Sequence, residues 1–151
     1  MTASAWPFAP VAMRVHPFTS ITFDPEQNSL VLEVRMELLD QVGDVTKGVG
    51  DFRFELYADK LKASLRGVDE RLNVWDGPVS TLEQNRQHYD SITRTYSFKL
   101  RLDPAPPADQ KLRLVAQFTD PSGKRILAEA PLSYTPGKPG EPTPAKKPRG
   151  D

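Results

Sequence analysis

The chain has 151 residues, with Lys+Arg and Asp+Glu both at 20, so its formal net charge is zero. That balance argues against nucleic-acid binding and polybasic membrane attachment, which need a surplus of cations, and no apolar run approaches the roughly 18 residues of a membrane-crossing helix. The absence of cysteine excludes disulfides, thiolate nucleophiles and cysteine-ligated metal centres, and the two histidines, His16 and His88, are too few for a three-histidine metal site.

Residues 1–10 contain no basic segment followed by an apolar one, so no signal peptide is read in this chain and a flexible lead-in is expected there. Val11 to His16 and Ile21 to Phe23 have the composition of short strands, followed by the turn Asp24-Pro25-Glu26-Gln27-Asn28. Leu30, Leu32, Val34, Met36 and Leu38 then alternate with Val31, Glu33, Arg35, Glu37 and Leu39. Successive strand side chains point to opposite faces, so this period of two predicts a long central strand with the even positions in the core and Arg35 on a solvated face.

After Asp40, the glycines 43, 48 and 50 mark a longer loop. Phe52, Phe54 and Leu56 resume the alternation against Arg53, Glu55 and Tyr57. Lys60 to Gly67 has the makings of one helical turn, with Gly67 as its stop. Leu72 to Trp75 reads as a short strand, in which Trp75 points outward if Val74 faces in, and otherwise lies under the following helix or fills the core after a register shift. Ser80-Thr81-Leu82-Glu83 matches a capping box with Ser80 as N-cap and Glu83 three positions on, which predicts a short helix over 81–89 with Leu82 and Tyr89 on one side.

Three further alternating runs follow: Tyr96 to Leu102, Leu112 to Phe118 and Ile126 to Tyr134. Asp120-Pro121-Ser122-Gly123 is a hairpin turn between the last two. Pro131 lacks an amide hydrogen and so predicts a sheet edge or a bulge for the final strand. These runs predict an all-β fold: a seven-stranded antiparallel two-sheet sandwich, immunoglobulin-like, with one or two short crossover helices, spanning 11–134. Residues 135–151 hold five of the 15 prolines and no apolar side chain larger than alanine. They are expected to form a disordered, mildly basic tail, a tether or a Pro-x-x-Pro ligand.

No pattern carries catalytic chemistry. Gly48-Val49-Gly50 is too short to cradle a dinucleotide, and no Gly-x-Ser-x-Gly elbow or phosphate-binding loop occurs. Asp40, Asp44 and Asp120 have the spacing of turn residues rather than calcium ligands, and neither histidine has a spacing that argues for a metal. No catalytic residue, metal or cofactor is therefore assigned. Tyr57 and Trp75, which fall on outward registers if Leu56 and Val74 face in, are the candidate binding residues, since exposed aromatics anchor protein partners or stack on sugars. The expected function is a non-catalytic interaction or structural module. The alternative is a small carbohydrate-binding module using Trp75 and Tyr57, so the partner is a protein or a glycan.

The stretches LLDQVGDVTKGVGDFRFELY (38–57) and NVWDGPVSTLEQNRQHYDSITRTYSFKL (73–100) resemble uncharacterised sandwich domains of predicted bacterial lipoproteins. The resemblance extends over most of 15–134 and implies an extracytoplasmic location, in the periplasm or cell envelope. Those relatives are anchored through an N-terminal cysteine, which this chain lacks, so its anchor is absent or trimmed. The resemblance implies no activity and no site residues.

Overall fold

The computed structural model describes residues 7–58, 70–103, 105, 106 and 111–133. Within them lie ten strands: β1 (Ala12–Val15), β2 (Ser20–Asp24), β3 (Ser29–Leu39), β4 (Val45–Thr46), β5 (Asp51–Ala58), β6 (Glu70–Pro78), β7 (Tyr89–Asp90), β8 (Thr95–Leu102), β9 (Lys111–Thr119) and β10 (Arg125–Ser133). One helix, α1 (Leu82–His88), follows β6. Every strand pairing among the described residues is antiparallel. In the six-stranded sheet β3 is flanked by β1 and β2 on one side and by β8 on the other, with β4 paired to the end of β3 and β7 to the start of β8. The four-stranded sheet runs β10-β9-β5-β6. No helix among the described residues is long and apolar enough to cross a membrane.

The alternation read from the sequence is what fills the space between the sheets. Leu32, Val34, Met36 and Leu38 are fully buried, as are Phe52, Phe54 and Leu56 from the facing sheet. Phe52 is the centre of the packing, with ring centroids 4.9–5.7 Å from those of Phe54, Tyr96, Phe98 and Phe118. The Phe98 ring occupies the place where a side chain at 77 would stand. A Cβ added to Gly77 would lie 2.5 Å from that ring, so only glycine fits there. Pro131 lies in β10, an edge strand, as its missing donor requires.

Ten strands rather than seven have two physical sources. The first edge is interrupted: Val15 faces Met36, but the next pair is Ser20 with Glu33, so five steps of chain span three of β3. Thr19 seals the break, its hydroxyl accepting from the Arg35 amide at 3.0 Å and lying 3.2 Å from the Arg35 carbonyl. The other two additions, β4 and β7, are two residues long, too short for a periodicity to mark them.

Three local expectations are corrected. Thr81 and Gln84, not Ser80 and Glu83, form the capping box, and Ser80 donates to the Gln84 side chain from outside it. Leu82 is 76 % exposed, and no residue of α1 is buried. The helix is held by hydrogen bonds instead. Asn85 Nδ2 donates to the carbonyls of Gly48 (2.6 Å) and Val79 (2.9 Å), while Asn85 Oδ1 accepts from the buried Tyr96 hydroxyl at 2.8 Å. Arg35 is not merely solvated, since its guanidinium lies 3.0 Å from Glu33 and 3.2 Å from Asp90. The proposed helical turn at 60–67 and the tail at 135–151 lie outside the described residues.

The hairpin turns share one chemical device. Asp40 Oδ1 accepts from the amides of Val42 and Asp44, and Asp120 Oδ1 accepts from those of Ser122 and Lys124. Gly43 and Gly123, three residues after each aspartate, take φ of 88° and 93°, which glycine adopts without a Cβ penalty. Asp24 and Asp90 open two more turns, each accepting an amide two residues on. These bonds hold the Asp120 and Asp90 carboxyls below the ordinary aspartate range; the largest contribution comes from the Ser122 side chain for Asp120 and the Ile92 amide for Asp90. A carboxyl depressed in the folded state contributes stability above its unfolded pKa of about 3.9 and loses it as pH falls through the folded value. The melting temperature is therefore expected to fall on acidification below about pH 4, and Asp120→Asn should flatten that acid limb. A calorimetric scan of both proteins against pH measures it.

Candidate functional site

The outer face of the four-stranded sheet carries an organised set of polar and aromatic side chains. Alternation along β5 sends Arg53, Glu55 and Tyr57 outward while Phe52, Phe54 and Leu56 face the core. On β9, Gln117, Val115 and Arg113 stand opposite these three. On β6 the opposite residues are Asp76, Val74 and Arg71. Arg71 comes to face Tyr57 only through a register shift between Leu56 and Tyr57, since continuing the earlier register would have placed Leu72 there. The bulge leaves Leu72 packed against the core and turns a guanidinium towards the ring.

Glu55 organises the patch. Its Oε1 accepts from the Tyr57 hydroxyl at 2.6 Å, and its Oε2 accepts from Arg53 Nε at 3.2 Å and Arg71 Nη1 at 3.4 Å. The Arg113 guanidinium sits 4.8 Å from the Tyr57 ring centroid and pairs with Glu129 at 3.5 Å. Each such surface contact is worth little alone, but together they restrict the rotamers of Tyr57 and its flanking arginines before any partner arrives.

Tyr57 and Glu55 shift each other's titration in opposite directions. The bond from Tyr57 holds the Glu55 carboxyl below the ordinary glutamate range, with the arginines adding to the effect, and the same bond raises the Tyr57 hydroxyl above the ordinary tyrosine value. Glu55→Gln is therefore expected to bring the Tyr57 titration back towards that of a free tyrosine. An NMR titration of the resolved Tyr57 ring signal measures it, and an unmoved midpoint would show that Glu55 is not the cause.

Of the two placements open for Trp75, the structure takes the inner one, so it does not stand beside Tyr57. It stands opposite the buried Phe54, packs against the core, and donates from Nε1 to the Arg101 carbonyl at 3.1 Å. The reason is register: Gly77 faces Phe52, which fixes Trp75 inward and Val74 outward. Tyr57 and Trp75 thus belong to opposite faces of their sheet and form no shared aromatic platform.

The other singled-out residues serve structure. His16 Nδ1 accepts from the Phe18 amide at 3.1 Å, and the His88 ring stacks on Phe98 at 4.3 Å. No group of three or more metal-ligating side chains occurs among the described residues. An open pocket of about 560 Å³ is lined by Phe8, Asp40, Gly43, Asp44, Val45, Thr46 and Arg94. In it one Asp40 oxygen is committed to the turn, and the Thr46 hydroxyl donates to the Phe8 carbonyl at 3.0 Å, tying residue 8 to the sandwich.

Arg53, Glu55 and Tyr57 share an outward register that the sequence alone displays. Arg113 and Arg71 do not, because they join the patch through strand pairing and a bulge. Comparison of the chain with protein-family models, with curated proteins and with solved structures finds no match.

Proposed function

We propose that this chain is a non-catalytic interaction module with an immunoglobulin-like build, and that its binding surface is the outer face of β9, β5 and β6 centred on Tyr57. The observation that carries this reading is the Glu55 network, which holds a tyrosine and three arginines in fixed relation on an exposed face. Tyrosine and arginine are the residue types that dominate binding energy at protein interfaces, and pre-ordering them lowers the entropic cost of association. The partner is a protein.

The immunoglobulin-like build is supported by strand order. Taking β1 and β2 as one interrupted strand, and setting the two-residue β4 and β7 aside, leaves seven. The first, second and fifth then share one sheet, and the seventh, sixth, third and fourth share the other. This is the constant-type immunoglobulin arrangement with its fourth strand moved to the second sheet. The extracytoplasmic setting rests on the resemblance of 38–57 and 73–100, and recovery of the native protein in a cytoplasmic fraction would remove it.

A photo-crosslinking residue placed at Val115, between Glu55 and Glu129 on the outer face, tests the surface. In its native cells the protein should form a discrete crosslinked species, and Tyr57→Ala should abolish that species without changing the melting temperature. Crosslinks that survive Tyr57→Ala, or that arise instead from a probe at Glu37 on the other sheet, would overturn the assignment.

A further inference from the structure

Strand β8 is paired with β3 over Tyr96 to Leu102 on one side, whereas on the other, among the described residues, only Thr95 and Tyr96 pair with a strand, β7. The carbonyls of Ser97 and Arg101 are taken by side chains rather than by β3, and the two-residue alternation directs the backbone N–H and C=O of Lys99, between them, to the same open edge while its side chain stands on the exposed face. A strand edge of this kind is a ready template for another strand. Ring nitrogens occupy both flanking carbonyls. The Trp75 indole reaches across from β6 to Arg101, and His88, at the end of α1, places Nδ1 3.0 Å from the Ser97 carbonyl, where a carbonyl can only accept and Nδ1 must donate.

Neither ring is loosely held. Trp75 packs against the core, and His88 is stacked on Phe98. Antiparallel pairing of β8 with β8 of a second copy, centred on Lys99, would join Ser97 to Arg101 twice and Lys99 to Lys99 once. Both Ser97–Arg101 pairs need the two carbonyls that the rings already hold, and the central pair sets like charges face to face. We propose that Trp75 and His88 latch the β8 edge shut against self-association, with Lys99 as a charged guard between them.

The test replaces the ring donors while keeping aromatic bulk. Trp75→Phe/His88→Phe combined with Lys99→Thr should self-associate at least about tenfold more tightly than the parent by analytical ultracentrifugation. The same double variant carrying Lys99→Pro should not, since proline there removes the central edge donor without breaking a bond to β3. Association unchanged from the parent, or insensitive to Lys99→Pro, would overturn the proposal. A measurement on the parent guards against a variant that fails to fold: the Trp75 indole proton should exchange with solvent clearly more slowly than that of free indole. Equal rates would mean that no latch exists.

Discussion

Val34→Asp is expected to leave the chain unfolded or insoluble. Val34 is fully buried in β3 opposite Phe98, so a carboxylate there would have neither water nor a partner. Its burial costs several kcal/mol, comparable with the roughly 5–15 kcal/mol that holds a domain together. The neighbouring position gives a graded contrast. Alternation alone puts Arg35→Asp under about 1 kcal/mol, the usual limit for a solvated face. The structure raises that figure, because Arg35 sits between Glu33 and Asp90, and its replacement would gather three carboxylates around one spot. We expect about 1–3 kcal/mol for it, and about 0.5–1 kcal/mol for Glu37→Gln, whose side chain is 12 % exposed but whose partner Arg14 remains largely in solvent and can still bond the amide oxygen. Urea unfolding of the three variants ranks them. A Val34→Asp protein with a parent-like midpoint would mean that the register of β3 is wrong.

Asn85→Ala is expected to cost about 2–4 kcal/mol despite sitting on a helix with no buried residue. The change takes one partner from each of three groups: the Gly48 and Val79 carbonyls lose a donor, and the Tyr96 hydroxyl loses an acceptor. Tyr96 is fully buried, and its hydroxyl is also 3.2 Å from the Gly48 carbonyl and accepts from the Gly48 amide at 3.1 Å. Tyr96→Phe should therefore cost about 1–2 kcal/mol, and the double variant should cost less than the sum, by at least about 0.5 kcal/mol. Additive costs in denaturant unfolding would show that the two side chains act independently.

These two sites mark what the sequence makes legible and what it does not. The core register of β3, β5, β8, β9 and β10 follows from apolar alternation alone, because each has one face against the opposite sheet and the period of two has no competing reading. Position 75 fails that method. In β6 the run from Leu72 to Trp75 has apolar residues on both registers, so only Gly77 facing Phe52 decides which way Trp75 points. The Asn85 network is invisible for another reason: a short helix docked by hydrogen bonds carries no apolar stripe. In the candidate site the three side chains of β5 were readable as one face. Arg113 and Arg71 depend on which strands become neighbours, and on a bulge that no local composition announces.

The aspartate-led turns bear on how the chain reaches this fold. Four of them close β2 to β3, β3 to β4, β7 to β8 and β9 to β10, each using a carboxylate and amides within five residues of sequence. Hairpins of this span form on a scale of about 1–10 μs. The pairings that build the two sheets are of a different order: Val34 meets Phe98, and Phe54 meets Ala116, each across an intervening stretch about half the length of the domain. Loop-closure entropy must be met before those contacts return any stability, so the hairpins can wait, preassembled, for the joining of β3 with β8 and of β5 with β9. Folding is then slow for reasons of topology rather than local preference. Substitutions in turns that are already formed when the sheets join should therefore slow folding and leave the unfolding rate nearly unchanged, while contacts made only after β3 meets β8 and β5 meets β9 should act mainly on unfolding.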